Sequence, residues 1–233
     1  MRDPRQRLIV ALDVSSAAAA KKIVAAVGDS AFCYKVGLQL YTAEGPQVVR
    51  DLVASGRKVF LDLKYHDIPN TVAAAVSEAG KLGVSMLTVH ASGGRKMLRA
   101  AADAATVANP DLLVLAVTVL TSLSASDLPE VGVQGQVQDQ VLRLAKLALD
   151  NGCGGIVASA QEASALRREF GDKFTIVTPG VRPAGAPVGD QARVVSPGEA
   201  IAAGATHIVV GRPITEAADP AAEARAILGQ ITA

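Results

Sequence analysis

Tryptophan is absent from these 233 residues, and aromatic side chains make up only 3% of them. Proteins that grip single-stranded nucleic acid do so largely by stacking bases on aromatic rings, so that class of partner is disfavoured. An excess of charge of either sign is also missing. The chain has 23 Lys and Arg against 22 Asp and Glu, a formal net charge of +1, with both signs mixed throughout. There is no basic block for a phosphate backbone and no acidic tail. Cysteine is nearly absent: Cys33 and Cys153 are the only two. That is too few for a disulfide framework or a Cys-built zinc centre, and reads as two reduced, buried thiols in a cytoplasmic protein. No apolar run approaches the roughly 20 residues that span a bilayer. The opening "MRDPRQRLIVALDVSS" briefly imitates a signal peptide, but its apolar part is short and Asp13 interrupts it.

What is present is apolar and periodic. Half of the residues are hydrophobic. Short β-rich runs recur: "RLIVALDV", "CYKVG", "KVFLDLK", "MLTVHA", "LLVLAVTVL", "GIVAS", "FTIVTPG" and "HIVVGRP". Ala-rich, helix-patterned stretches separate them, such as "AAAAKKIVAAV", "EGPQVVRDLVA", "NTVAAAVSEAGKLG", "GRKMLRAAADAA" and "DQVLRLAKLALDNG". In the last of these, Val141, Leu144, Ala145 and Ala148 fall at i, i+3, i+4 and i+7, one helical face. Glycines at 28, 56 and 152 stand where helices should close before the next strand. Strands that are continuously apolar, rather than alternating, suggest a parallel sheet covered on its outer face. Eight β–α units in this length predict a single α/β domain over 1–233, a (β/α)8 TIM barrel. A doubly wound open sheet is the runner-up. The longest irregular segments, 121–137 and 181–197, are expected to be functional loops.

In such a barrel the active site lies at the carboxyl ends of the strands. Those ends are unusually polar here. The first strand is expected to end at Asp13, the second holds Lys35, the third Asp62 and Lys64, the fourth ends near His90, and the fifth at Thr121 and Ser122. The seventh runs into "TPGVRP" and the eighth into Gly211-Arg212. Asp62 and Lys64 are i and i+2 on a strand, so with Phe60 they point to one side. Taken alone, Asp-x-Lys is equally a buried salt bridge. A second acid and a second amine at neighbouring strand ends favour a ligand-ready array, in which each charge supports its neighbour's ionised form. "GRPIT" can bring backbone N–H groups and the Arg212 fork to a phosphate, or can simply be a turn that caps a helix. The Gly- and Pro-rich "RPAGAPVGDQAR", with Arg182 and Gln191, reads as a lid over that phosphate. His90 is either a ligand contact or a core histidine, and His66 and His207 read as structural. Three scattered histidines make no metal site.

The segments "LDLKYHDIPNT", "VTVLTS", "TPGVRPAGAPVGDQARVVSP" and "VVGRPIT" occur in an order that resembles the orotidine 5′-phosphate decarboxylases of the bacterial type. The likeness runs from "VALDV" to the last helix. Asp-x-Lys-x-x-Asp is shared with a wider superfamily of sugar-phosphate barrels; "DIPNT" with "TPGxRP…GDQ" is more specific. The resemblance implies decarboxylation of orotidine 5′-phosphate to UMP, the last step of pyrimidine synthesis, without cofactor or metal, by a homodimer with shared sites. By motif position, Lys64, Asp62, Asp67 and Lys35 are the catalytic set. Lys64 would protonate C6 of the pyrimidine, and Asp62 would lie beside the substrate carboxylate. Lys35 and Asp13 would bind ribose hydroxyls. Asp67, Ile68 and Thr71 would contact substrate, with Asp67 and Thr71 reaching into the partner's site. Thr121 and Ser122 would meet the pyrimidine, and Arg182, Gln191, Gly211 and Arg212 the phosphate. Two other readings stay in view. One is a metal-dependent sugar-phosphate decarboxylase or aldolase of the same superfamily. The other is a non-catalytic barrel that binds a nucleotide phosphate.

Overall fold

The structure is a computed structural model that describes residues 3–183 and 195–232. Eight parallel strands close on themselves in sequence order. They are β1 (Leu8–Ala11), β2 (Cys33–Gly37), β3 (Lys58–Tyr65), β4 (Met86–His90), β5 (Leu113–Val117), β6 (Gly155–Val157), β7 (Thr175–Thr178) and β8 (His207–Val210). The helices around them are α1 (Ala17–Val27), α2 (Leu38–Glu44), α3 (Gln47–Ala54), α4 (Pro69–Lys81), α5 (Gly94–Ala108), α6 (Val137–Leu149), α7 (Ala160–Phe170), α8 (Pro197–Ala202), α9 (Arg212–Thr215) and α10 (Pro220–Thr232). This is the (β/α)8 barrel that the strand count predicts, and the open sheet is set aside because β1 pairs with β8.

The continuously apolar strands are explained by two cores. Ile9, Ala11, Cys33, Phe60, Met86, Leu115, Val177 and Val209 pack together inside the barrel. Their neighbours of opposite parity, among them Val10, Tyr34, Leu61, Leu87, Ile176 and Ile208, join the helices in the outer core. Both faces of each strand are therefore buried, which removes the polar alternation of a half-exposed sheet. The α6 face holds as expected, with Val141, Leu144, Ala145 and Ala148 all buried. Cys33 and Cys153 are free and buried, and burial pushes both thiols up to about 12. Among the described residues no helix is long and apolar enough to cross a membrane.

Two strand boundaries differ from the sequence expectation. β1 stops at Ala11, so Asp13 stands in the loop beyond it, and β5 stops at Val117, so Thr121 and Ser122 are loop residues. The apolar runs overshoot because Leu12 and Val119 are buried like strand residues beyond the last paired positions, Leu12 still giving its N–H to Lys35 O at 2.9 Å. The helix α2, Leu38–Glu44, forms directly at the end of β2 and is additional to the helix-patterned stretches named from the sequence. Seven residues are too few for periodicity to declare a helix.

Candidate active site

Inside the barrel the strand residues are apolar at the amino end and charged at the carboxyl end. The change occurs between Phe60 and Asp62 on β3, and between Cys33 and Lys35 on β2. A cavity of about 560 Å³ opens there, floored by Ala11, Phe60, Val157 and Val209. Asp13, Lys35, Asp62 and Lys64 line it, as do Arg182, Gly211 and Arg212. Thr121 also lines it.

The four charges form a chain of alternating sign. Lys35 Nζ donates to Asp13 Oδ1 at 2.8 Å and stands 3.8 Å from Asp62 Oδ2. Lys64 Nζ donates to Asp62 Oδ1 at 2.9 Å. The Lys35 and Asp62 side chains are only 12% and 14% exposed. Charges this far from water are tolerable when each is held between opposite charges, as here. Burial makes their fields strong and fixed, since surrounding water can no longer reorient to screen them.

The local backbone is unusual where the chemistry sits. Leu61 pairs with Leu87, but Tyr65 pairs with Val89, so four steps along β3 match two along β4. The extra residues bulge around Asp62, Leu63 and Lys64. Lys64 takes φ +53°, the only positive φ of a non-glycine residue among the described residues. For a side chain with a Cβ this region is sparsely populated and is most often retained at functional sites. Despite the bulge, Phe60, Asp62 and Lys64 all face the cavity, as the alternation predicts.

Two residues of this site escaped the sequence reading. Thr88, almost wholly buried on β4, donates from Oγ1 to Asp62 Oδ1 at 3.0 Å and accepts the Lys64 N–H at 2.9 Å. Gly37, opposite Asp62 in the ladder, adjoins the space that the Lys35 ammonium fills: a Cβ there would sit 2.8 Å from Lys35 Nζ and 3.3 Å from Asp13 Oδ1. A threonine in a strand and a glycine before a helix are both ordinary, so neither carries a signal alone.

The structure does not bring every expected residue to this cavity. Asp67, Ile68 and Thr71 are exposed at the start of α4, with Asp67 Oδ1 accepting the Ile68 N–H at 2.6 Å. Ser122 is exposed and does not line the cavity. Gln191 lies outside the described residues. Arg182 is buried, and its backbone N–H donates to Val195 O at 3.0 Å, which joins the two described ends of the long loop. His90 is half-buried, with its ring centroid 5.4 Å from that of His66. Burial first, and then the nearby His66 and Lys64, lower its pKa below the usual histidine value. Among the described residues no cluster of three or more His, Cys, Asp or Glu is arranged to hold a metal.

A closed parallel barrel with a charged cavity at the carboxyl ends of its strands is the arrangement found in enzymes of the (β/α)8 class. Sequence comparison narrows this. The profile described as "Orotidine 5'-phosphate decarboxylase / HUMPS family" matches residues 6–227, and the chain belongs to that family. It is similar to the orotidine 5′-phosphate decarboxylase of Halorhodospira halophila, with 54% identity over 97% of this chain and 96% of that one. It is also similar to that of Idiomarina loihiensis, with 51% identity over 97% of each chain. Among solved structures, orotidine 5′-phosphate decarboxylase from Lactobacillus acidophilus superposes with a TM-score of 0.88 at 40% identity, covering 98% of this chain and 100% of that one.

Proposed function

We infer that this chain catalyses the decarboxylation of orotidine 5′-phosphate to UMP and CO2, the last step of UMP biosynthesis. The observation that carries this reading is the Asp13–Lys35–Asp62–Lys64 charge chain, which lines one cavity together with Arg182 and Arg212. Relatives about half identical over nearly the whole chain bear the name of that activity, which supports it.

The chemistry asks for what the site offers. When the C6–carboxylate bond breaks, CO2 departs and the electron pair stays in an in-plane orbital at C6, where the ring cannot delocalise it. A fixed cation at that point lowers the barrier, because it stabilises charge that exists only in the transition state. Lys64 supplies the cation and then transfers a proton from Nζ to C6, leaving UMP and a neutral amine that water reprotonates. Asp62 faces the substrate carboxylate, an arrangement that is repulsive until CO2 forms. Lys35 and Asp13 take the ribose hydroxyls. Thr121 lies towards the pyrimidine, with Ser122 beside it in the same loop. Arg182, Gln191, Gly211 and Arg212 take the phosphate, whose binding energy serves orientation at the distant reacting carbon.

Asp67, Ile68 and Thr71 are exposed and do not line their own cavity, and Ile68 is 67% exposed. An isoleucine so open beside a motif carboxylate suits an interface. In this reading the enzyme is a two-fold homodimer, and these residues complete the partner's site. The whole chain, 1–233, is one catalytic domain, and its two reduced, buried thiols suit the cytoplasm.

The test is to mix purified, chelator-treated protein with orotidine 5′-phosphate and follow loss of its absorbance with release of CO2. Turnover that survives the chelator supports this reading. Activity that appears only on restoring a divalent cation favours the metal-dependent sugar-phosphate reading. That reading must also free Asp13 and Asp62 from the ammonium groups that now engage them. Tight UMP binding without turnover favours the non-catalytic barrel.

A further inference from the structure

The bulge in β3 leaves a gap in the ladder, and one side chain fills it. A strand in a closed barrel normally gives its N–H groups to its neighbour's carbonyls. At Lys64 the register has slipped, and the N–H is taken by the Thr88 hydroxyl at 2.9 Å. The same hydroxyl has one proton to give, and gives it to Asp62 Oδ1 at 3.0 Å. Oδ1 also receives Lys64 Nζ at 2.9 Å, while Oδ2 faces Lys35 Nζ at 3.8 Å. Thr88 Oγ1 thus ties the Lys64 backbone to the same carboxylate oxygen that the Lys64 ammonium engages directly. Thr88 is 1% exposed, so its hydroxyl is shielded from solvent.

We propose that Thr88 is a positioning residue for the decarboxylation, holding the strained Lys64 backbone and the rotation of the Asp62 carboxylate in register. It touches no substrate in this scheme and acts only through those two residues, so the proposal rests on the reading of Lys64 and Asp62 given above. Threonine meets three needs at one position. The hydroxyl bridges the bulge, the β-branch suits a strand, and the small volume leaves the cavity open. Hydrophobic residues of similar shape satisfy the second and third needs but not the first.

The experiment compares two pairs that differ only in the hydroxyl: wild type with Thr88→Val, and Thr88→Ser with Thr88→Ala. In each pair kcat and KM for orotidine 5′-phosphate are measured, with the affinity for UMP as a binding control. Loss of a hydrogen bond to a charged group predicts roughly a 10- to 100-fold lower kcat for Thr88→Val, with KM and UMP affinity nearly kept. Thr88→Ser should return to within about fivefold of wild type, and Thr88→Ala should fall like Thr88→Val. If Thr88→Val fails to fold, the Ser and Ala pair carries the same comparison. Equal kcat within each pair overturns the proposal, as does a loss that appears only in KM. Lys64→Ala is assayed beside them. If Lys64→Ala stays active, the reading of the site itself fails. If it is inactive while the hydroxyl makes no difference, only the role of Thr88 fails.

Discussion

Gly37 and Lys35 share one small volume: a Cβ on the glycine would lie 2.8 Å from the lysine Nζ. The two are i and i+2 on β2, both on the cavity side, and the ammonium occupies the space that a side chain at 37 would take. Gly37 has φ −99°, so alanine fits the backbone without strain. Gly37→Ala should therefore fold with a stability change within about 1 kcal/mol. It should displace Lys35 from Asp13 and lower kcat/KM by roughly 10- to 100-fold, as misplacement by about 1 Å does. Thermal unfolding and steady-state kinetics on the same preparation check both halves.

The positive φ of Lys64 gives a second prediction, about stability. Lys64→Ala and Lys64→Gly both delete the ammonium and both leave Asp62 with Lys35. Only glycine also relieves the left-handed backbone, which costs a residue with a Cβ about 1–2 kcal/mol. Glycine gives back part of this through its more disordered unfolded state, about 0.5–1 kcal/mol. Lys64→Gly should therefore be the more stable of the two, by up to about 1 kcal/mol, a reversal of the usual order of alanine and glycine. Denaturant midpoints decide it, and alanine above glycine would show that the backbone at 64 is unstrained.

The exposed Asp67 leads to a third, on assembly. If it completes the partner's site, mixing Lys64→Ala subunits with Asp67→Ala subunits makes dimers in which one site carries both defects and the other carries none. Random pairing makes about half the dimers mixed, so about a quarter of wild-type activity should return. If Asp67 served its own subunit, neither site of a mixed dimer would be intact, and nothing would return once subunit exchange is verified.

Much of this was legible before any coordinates. The eight apolar runs, the α6 face and the charges at 13, 35, 62 and 64 could all be read, because burial and charge placement are written in residue types. The strand ends were less legible. Val119 and Leu12 are as apolar as a strand residue but lie beyond the strand ends, and composition does not separate packing from pairing. The bulge at Lys64 left no trace, since alternation of side chains survives it. Thr88 was hidden for a related reason: its hydroxyl matters only because a register slip on the neighbouring strand leaves an N–H to be taken, a relation between residues 24 apart in sequence.

The central claim, that Lys64 is the cation and proton donor of the decarboxylation, is tested most directly by the turnover of orotidine 5′-phosphate by Lys64→Ala, with UMP affinity measured on the same protein. The account predicts a folded dimer whose kcat has fallen by at least roughly 100- to 1,000-fold, the loss seen when a single preorganised transition-state donor is removed. UMP affinity should change far less, because phosphate and ribose contacts remain. A variant that folds and keeps kcat within a few fold of wild type would contradict it.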